Sequence, residues 1–331
     1  MPIICAEKII YEGEKMELIE NLRKNLNEVI LGKSSVVDKV IVGIISSGHM
    51  LIEDVPGTGK TTLAKAVAKS FDMEFKRIQF TPDVLPSDIT GITVFDLEKK
   101  TFNIRFGPVF TNILLADEIN RATPKAQSAL LEAMAEYSVT IDGNRYSINK
   151  PFVVLATENP IEYEGTFPLP EAQIDRFLMK FSIGYPDKAF EETMLKVEKE
   201  FEPLDRIGPV ATKDDLLNLQ AYVKKVYVHP RIIEYIVDVA EATRRIRDVY
   251  LGISPRATLH LMRVAQGYAV LDGRRFVIPD DVKVAFPDVV NHRIILKAEA
   301  KLRGVTVFDI IEEVLRTVKV PMDVNFKDEV S

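Results

Sequence analysis

The sequence predicts an α/β protein built on a parallel sheet, followed by an all-helical second part. Three observations carry this. Short β-rich apolar runs alternate with helical stretches in the first half of the chain. A glycine-rich turn joins the first of these runs to the first of these helices. After Gly184-Tyr185-Pro186 the strand signals fade and helix starts succeed one another.

The apolar runs place five sheet strands at His49–Glu53, Phe75–Gln79, Ile113–Asp117, Phe152–Thr157 and Lys180–Ile183. Leu63, Val67 and the alanines between them give an apolar face to the helix after the first strand. Ala126, Leu130, Ala133 and Tyr137 do the same after the third. Two inserts break the rhythm. Ile92, Val94, Phe102, Ile104 and Phe106 alternate around Glu98-Lys99-Lys100-Thr101, and Val139, Ile141, Tyr146 and Ile148 alternate around Asp142-Gly143-Asn144. Both read as hairpins, the second with a strong turn signal. Further on, Pro230 after His229, Pro255 after Ser254, and Pro279-Asp280-Asp281 mark helix starts, because proline suits the first helical position. Ile232, Ile233, Ile236, Val239 and Ala240 recur at helical spacing, as do Leu259, Met262, Val264 and Ala265. The expected domains are 1–184, an α/β domain, and 185–331, an all-helical domain.

The bulk numbers narrow the function. The 331 residues suffice for two domains, and 47% hydrophobic with 28% charged residues is ordinary for a soluble globular chain. A net charge of −6 argues against nucleic acid as the main partner. The single cysteine, Cys5, cannot form an intrachain disulfide, and the first residues resemble neither a signal peptide nor a membrane span. A cytoplasmic protein is expected. His49, His229, His260 and His292 lack the spacing of zinc ligands. Asn325–Ser331 reads as a frayed tail.

The strongest chemical signal is Asp54-Val55-Pro56-Gly57-Thr58-Gly59-Lys60-Thr61, with Thr62 following. A triphosphate needs several converging N–H donors with no bulky side chain in the way. Gly57 and Gly59 let the backbone wrap the phosphates, and a helix N-terminus adds its positive end. Lys60 can bridge the β- and γ-phosphates, and the Thr61 hydroxyl suits magnesium. The phosphate-loop pattern begins with glycine, whereas this chain has Asp54, whose carboxylate must point away from the phosphates. The buried run Ile113–Ala116 ends in Asp117 and Glu118. Asp117 would hold magnesium through water, and Glu118 would polarise the attacking water as a general base. Both motifs sit at carboxyl ends of strands, where open α/β sheets bind ligands. Asn159, after the next strand, can orient water or touch the γ-phosphate, or can simply form a turn before Pro160. Arg176 can spread phosphoryl charge, or can be a surface ion-pair residue.

Asp117–Ala122 (Asp-Glu-Ile-Asn-Arg-Ala), Gln127–Met134, Ala156–Pro160, Phe167–Phe177 and Ile253–Ala257 together resemble the MoxR family of AAA+ ATPases, a match running from about Glu28 to Pro287. The resemblance implies an AAA+ P-loop core with a five-stranded parallel sheet and a helical lid. Its 92–106 hairpin would be the helix-2 insert of that clade. It makes Lys60 and Thr61 Walker A residues, Asp117 and Glu118 Walker B, Asn159 the first sensor, Arg176 the arginine finger and Arg256 the second sensor. It places Val29 and Ile30 near adenine, with plain core packing as the competing reading; Arg256 could equally pair with an acidic neighbour. The expected function is Mg-ATP hydrolysis by a homo-oligomeric ring, a hexamer, doing chaperone-like remodelling or cofactor assembly. A partner with a von Willebrand factor A domain is implied by the resemblance alone. The rivals are a DNA-dependent AAA+ motor, which needs more than Lys99, Lys100, Arg105 and Arg145, a nucleotide switch without hydrolysis, and a magnesium-chelatase-like subunit.

Overall fold

The computed structural model describes residues 2–161, 165–197 and 203–322. The tail expected at Asn325–Ser331 lies outside the described residues. The chain forms two compact units. One comprises Met1–Ile41, His49–Arg176 and Phe181–Leu217, and the other Val42–Gly48, Phe177–Lys180 and Asn218–Ser331.

The chain opens with helix α1 (Pro2–Val29), which the sequence reading did not anticipate. Its Ile19, Leu22, Leu26 and Val29 fall three or four residues apart and are all buried, the stripe a helix turns toward a core. Helix α2 (Ser34–Ile45) follows. Strand β1 (Met50–Glu53) leads through the glycine-rich loop into α3 (Lys60–Ser70), which buries Leu63, Ala64, Ala66 and Val67. Next come β2 (Phe75–Gln79), the short α4 (Pro86–Thr90) and the hairpin of β3 (Gly91–Asp96) and β4 (Thr101–Phe106). Strand β5 (Ile113–Asp117) runs into a 3₁₀ turn at Ile119–Arg121 and helix α5 (Pro124–Glu136). The second hairpin pairs β6 (Ser138–Ile141) with β7 (Asn144–Ser147) through Asp142 and Gly143, both at positive φ, as its tight two-residue turn requires. The second turn is one residue shorter than expected, because Asn144 pairs with Ile141, and the first keeps four residues but begins at Leu97, because Thr101 pairs with Asp96. Strand β8 (Val153–Glu158), α6 (Glu171–Ile174), β9 (Met179–Phe181) and α7 (Lys188–Val197) complete this part.

Five strands form one sheet in the order β2-β5-β8-β1-β9. The β2–β5, β5–β8 and β8–β1 ladders are parallel, with Gln79 opposite Asp117 and Glu53 opposite Glu158. Every residue of β5 is buried, as are Val153–Thr157 of β8, which is why both read as unbroken apolar runs rather than alternations. Their carboxyl ends share one edge of the sheet. The last strand stops at Phe181 instead of Ile183, because the Ile183 N–H donates to the Asp54 carboxylate.

Helix α8 (Lys213–Val223) is followed by α9 (Pro230–Arg245), β10 (Val249–Leu251), α10 (Pro255–Leu271), α11 (Pro279–Val290), β11 (Ile295–Leu296), α12 (Ala298–Leu302) and α13 (Val307–Thr317). The proline starts are capped by their predecessors: His229 Nδ1 accepts the Arg231 N–H, and Ser254 Oγ the Ala257 N–H. Gly267 lets α10 approach the end of α2 and the residue after it, since a Cβ there would lie 2.9 Å from Val42 Cγ1 and 2.5 Å from Ser46 Oγ. The buried Asp281 takes a bidentate pair from Arg274, at 2.6 and 2.7 Å. The helical pattern of this part is joined by one antiparallel ladder, β10–β11, too short to show alternation in the sequence. Among the described residues no helix is long and apolar enough to cross a membrane.

Candidate functional site

The register of the sheet decides what meets at its carboxyl edge. The glycine loop leaves β1, Asp117 and Glu118 end β5, Asn159 follows β8, and Gln79 ends β2. Together they line a cleft of about 400 Å³ whose walls include Pro56, Gly57, Gly59, Lys60, Thr61, Thr62, Asp117, Glu118 and Asn159.

Gly57 and Gly59 have φ of 87° and 89°, a left-handed backbone that favours glycine. A Cβ at either would meet nothing within 4 Å, so conformation rather than space requires glycine. No side chain caps the first turn of α3, so its N–H groups remain available to an anion. Lys60 Nζ donates to the Asp54 and Val55 carbonyls, each at 2.8 Å. Burial lowers the Lys60 pKa from its ordinary value, and the Asp54, Asp117 and Glu118 carboxylates oppose that shift. The ammonium thus faces a concentration of negative charge that a bound cation would offset.

The two carboxylates after β5 are held by residues the sequence reading did not single out. Thr157, fully buried in β8, donates its hydroxyl to Asp117 Oδ1 at 2.6 Å and accepts the Glu118 N–H at 2.8 Å. One hydroxyl therefore fixes both residues, including Glu118 at φ 57°, an uncommon conformation for a non-glycine residue. Arg77 Nη2 pairs with Asp117 Oδ2 at 2.6 Å and donates to Gln79 Oε1 at 2.6 Å. Gln79 Nε2 donates to Glu118 Oε2 at 2.9 Å, and Arg121 pairs with the same oxygen at 3.0 Å. Arg77 and Gln79 are two apart on β2 and share one face. Polar residues at alternate positions of a parallel strand were the signal available in the sequence.

Thr61 and Asp117 offer a hydroxyl and a carboxylate, hard oxygen donors suited to magnesium. That ion takes few protein ligands, with phosphate oxygens and water filling the rest. It does not require a cluster of three or more His, Cys, Asp or Glu, and the described residues contain none placed to hold a metal.

Most of the other expected residues lie elsewhere. Asn159 lines the cleft and also forms a turn, its Oδ1 accepting the Ile161 N–H at 3.1 Å. Val29 and Ile30 are buried at the end of α1, and Val55 and Thr58 are half-buried in the loop; none of the four lines the cleft. Arg176 is also outside it, donating to the Leu131 carbonyl of α5 at 2.7 Å. Arg256 is exposed in the first turn of α10, within the second unit. The Asp54 carboxylate turns Oδ2 away from the loop, toward Ser182, Ile183 and Gly184, while Oδ1 accepts the Val55 N–H.

Residues 49–179 match the ATPase family associated with various cellular activities (AAA), and residues 241–314 match the AAA lid domain. The uncharacterized protein YeaC of Bacillus subtilis is 46% identical, over 94% of this chain and 98% of its own. The chaperone MoxR1 of Mycobacterium tuberculosis is 39% identical, over 93% and 83% of the two chains. The protein MoxR of Methylorubrum extorquens is 30% identical, over 90% and 94%. A crystal structure of a candidate ATPase from Cytophaga hutchinsonii superposes with a TM-score of 0.89 at 39% identity, covering 97% of this chain and 99% of that one.

Proposed function

The chain belongs to the MoxR family of AAA+ ATPases and is an ATP-hydrolysing P-loop enzyme, and from that premise we propose that it works as a magnesium-dependent ring, a hexamer, that remodels partner proteins. The observation that carries the reading is the cleft at the carboxyl edge of the sheet, where Lys60, Thr61, Asp117, Glu118 and Asn159 converge.

In this reading the loop amides and Lys60 hold the phosphates of ATP, with Val29 and Ile30 at the adenine end. Thr61 and Asp117 hold the magnesium ion, which neutralises phosphate charge when bound. Glu118 accepts the proton of the attacking water, and Asn159 helps to orient that water. Gln79 and Arg121 both donate to Glu118 Oε2 and orient the carboxylate, so that Oε1 takes the proton. Arg176, bonded to α5 outside its own cleft, serves the nucleotide of a neighbouring subunit. Arg256 acts as the second sensor from the lid. We take residues 1–184 as the nucleotide-binding domain and 185–331 as the lid.

The 92–106 hairpin is the client contact. Its support is exposure, with Leu97 81% and Phe102 73% accessible beside Phe95. The Mycobacterium relative is named a chaperone, in keeping with remodelling as the task. The clients are proteins with a von Willebrand factor A domain, and the site of action is the cytoplasm.

The test is phosphate release with and without magnesium, for the chain and for Glu118→Gln. The chain should hydrolyse ATP only with magnesium, while Glu118→Gln binds ATP and fails to turn it over. Turnover by the variant at the parental rate would move the base to another residue.

A further inference from the structure

Asp54 opens the phosphate loop where the loop pattern has glycine. A carboxylate beside the phosphates of a nucleotide repels them, so its presence calls for a compensating role. The side chain is buried, 6% exposed. Oδ1 accepts the Val55 N–H at 2.9 Å, and Oδ2 accepts the Ile183 N–H at 2.8 Å, the Gly184 N–H at 2.7 Å and the Ser182 hydroxyl at 3.3 Å. These donors offset the loss of hydration that a buried charge suffers.

Three of the four belong to the stretch just after β9, which has further anchors. The Tyr185 carbonyl accepts the Lys33 ammonium. The Phe190 ring packs over Gly32, where a Cβ would come within 2.4 Å of it. One segment, 182–190, is therefore bonded to the phosphate loop at one end and to the residues following α1 at the other. Gly184, at φ 69°, supplies the bend between them.

We propose that Asp54 is a positioning residue that ties the phosphate loop to residues 182–185, so that nucleotide occupancy of the loop and the conformation of that segment change together. The inference rests on the ATPase reading of the cleft. Lys60 Nζ donates to the main-chain carbonyls of Asp54 and Val55. Phosphates in the loop draw that ammonium away, and the Asp54 and Val55 carbonyls lose their shared donor. The same residue's carboxylate is bonded to Ile183 and Gly184 by charge-assisted hydrogen bonds, roughly twice as strong as neutral ones. The segment follows the loop because those bonds are the harder ones to break. A glycine at position 54 would bind phosphate without this link.

The chain contains no tryptophan, and the Tyr185 side chain is 70% exposed. A Tyr185→Trp reporter therefore sits on the segment and keeps the carbonyl that Lys33 holds. ADP affinity is measured by calorimetry and tryptophan emission on ADP addition is recorded in parallel. ADP should change the emission of the Tyr185→Trp protein. Adding Asp54→Gly, which installs the pattern's own residue, or Asp54→Asn should leave ADP affinity within about tenfold and remove most of the emission change. Ser182→Ala, which deletes only the longest of the four bonds, should reduce that change in part. A role confined to folding would lower thermal stability and leave the response per bound ADP untouched. An undiminished emission change in an ADP-binding Asp54→Gly protein overturns the coupling, as does ADP binding to the reporter protein with no emission change. Absence of ADP binding to the Tyr185→Trp protein itself overturns the nucleotide site, and the coupling with it.

Discussion

His49 stands directly before β1, and its protonation should weaken the unit that carries the phosphate loop. Its Nδ1 lies 3.0 Å from the Val154 N–H and must accept that hydrogen, so Nε2 carries the ring proton and donates to the Met134 carbonyl at 3.1 Å. Burial pushes its pKa down from 6.5 to about 4, with the Met134 bond opposing. In the window between these values the unfolded chain binds a proton that the folded chain does not. Stability therefore rises with pH there, by about 1.4 kcal/mol per unit. It is fully present above 6.5 and lost as pH falls toward 4. From about pH 7 to about pH 5 this one group should remove about 2 kcal/mol. His292, in the second unit, is also lowered well below its ordinary value by burial, with Arg293 adding to the shift, so total pH dependence does not isolate His49. His49→Asn does, because its amide oxygen can still accept the Val154 N–H and does not titrate. Guanidinium unfolding followed by circular dichroism should show the two proteins differing by a constant amount above neutrality and converging as pH falls. A difference that stays flat from about pH 7.5 to about pH 5 would refute the assigned tautomer and its energetics.

Thr157→Val removes the hydroxyl that holds Asp117 and the Glu118 N–H; steady-state assays should show kcat falling about 10–100-fold with ADP affinity little changed. Arg274→Ala leaves the buried Asp281 without its bidentate partner and should destabilise the fold by about 3 kcal/mol, read as a lower denaturation midpoint. Shortening the 92–106 hairpin should leave basal hydrolysis largely intact and weaken client stimulation; a folded ring without basal activity would contradict its role as a contact surface.

Local requirements were legible in the sequence, and requirements set by pairing across the chain were not. Strands β2 and β5 end where expected because charged or polar residues bound their runs. The helix starts at Pro230 and Pro255 were readable because the signals of a helix start, and the caps that His229 and Ser254 supply there, act within a single turn. The glycine loop and the Asp117-Glu118 pair stood out for the same reason, since their chemistry depends on residues next to them in the chain. Arg77, Gln79 and Thr157 did not. They reach the carboxylates only because β2 and β8 lie on either side of β5, about 40 residues away in sequence. The direction of the Asp54 side chain followed from simple repulsion, but its partners at 182–184 required the β9 exit to be in place. Helix α1 was passed over although Ile19, Leu22, Leu26 and Val29 carry helical spacing, because its first residues show only a brief apolar patch.

In the proposed ring, Arg176 of the neighbouring subunit completes each active site. Within its own subunit the Arg176 guanidinium is bonded to the Leu131 carbonyl and does not line the cleft. An arginine finger can be worth about 10³–10⁵ in rate, so Arg176→Ala alone should be nearly inactive, as should Lys60→Ala, which loses the cation at the phosphates. Lys60→Ala subunits keep the finger and Arg176→Ala subunits keep the loop. The decisive measurement mixes the two under conditions that allow subunit exchange and records phosphate release, with mixed rings verified by native mass spectrometry. Recovery of hydrolysis in the mixture is the predicted result. Verified mixed rings that remain as inactive as either variant alone would contradict the account.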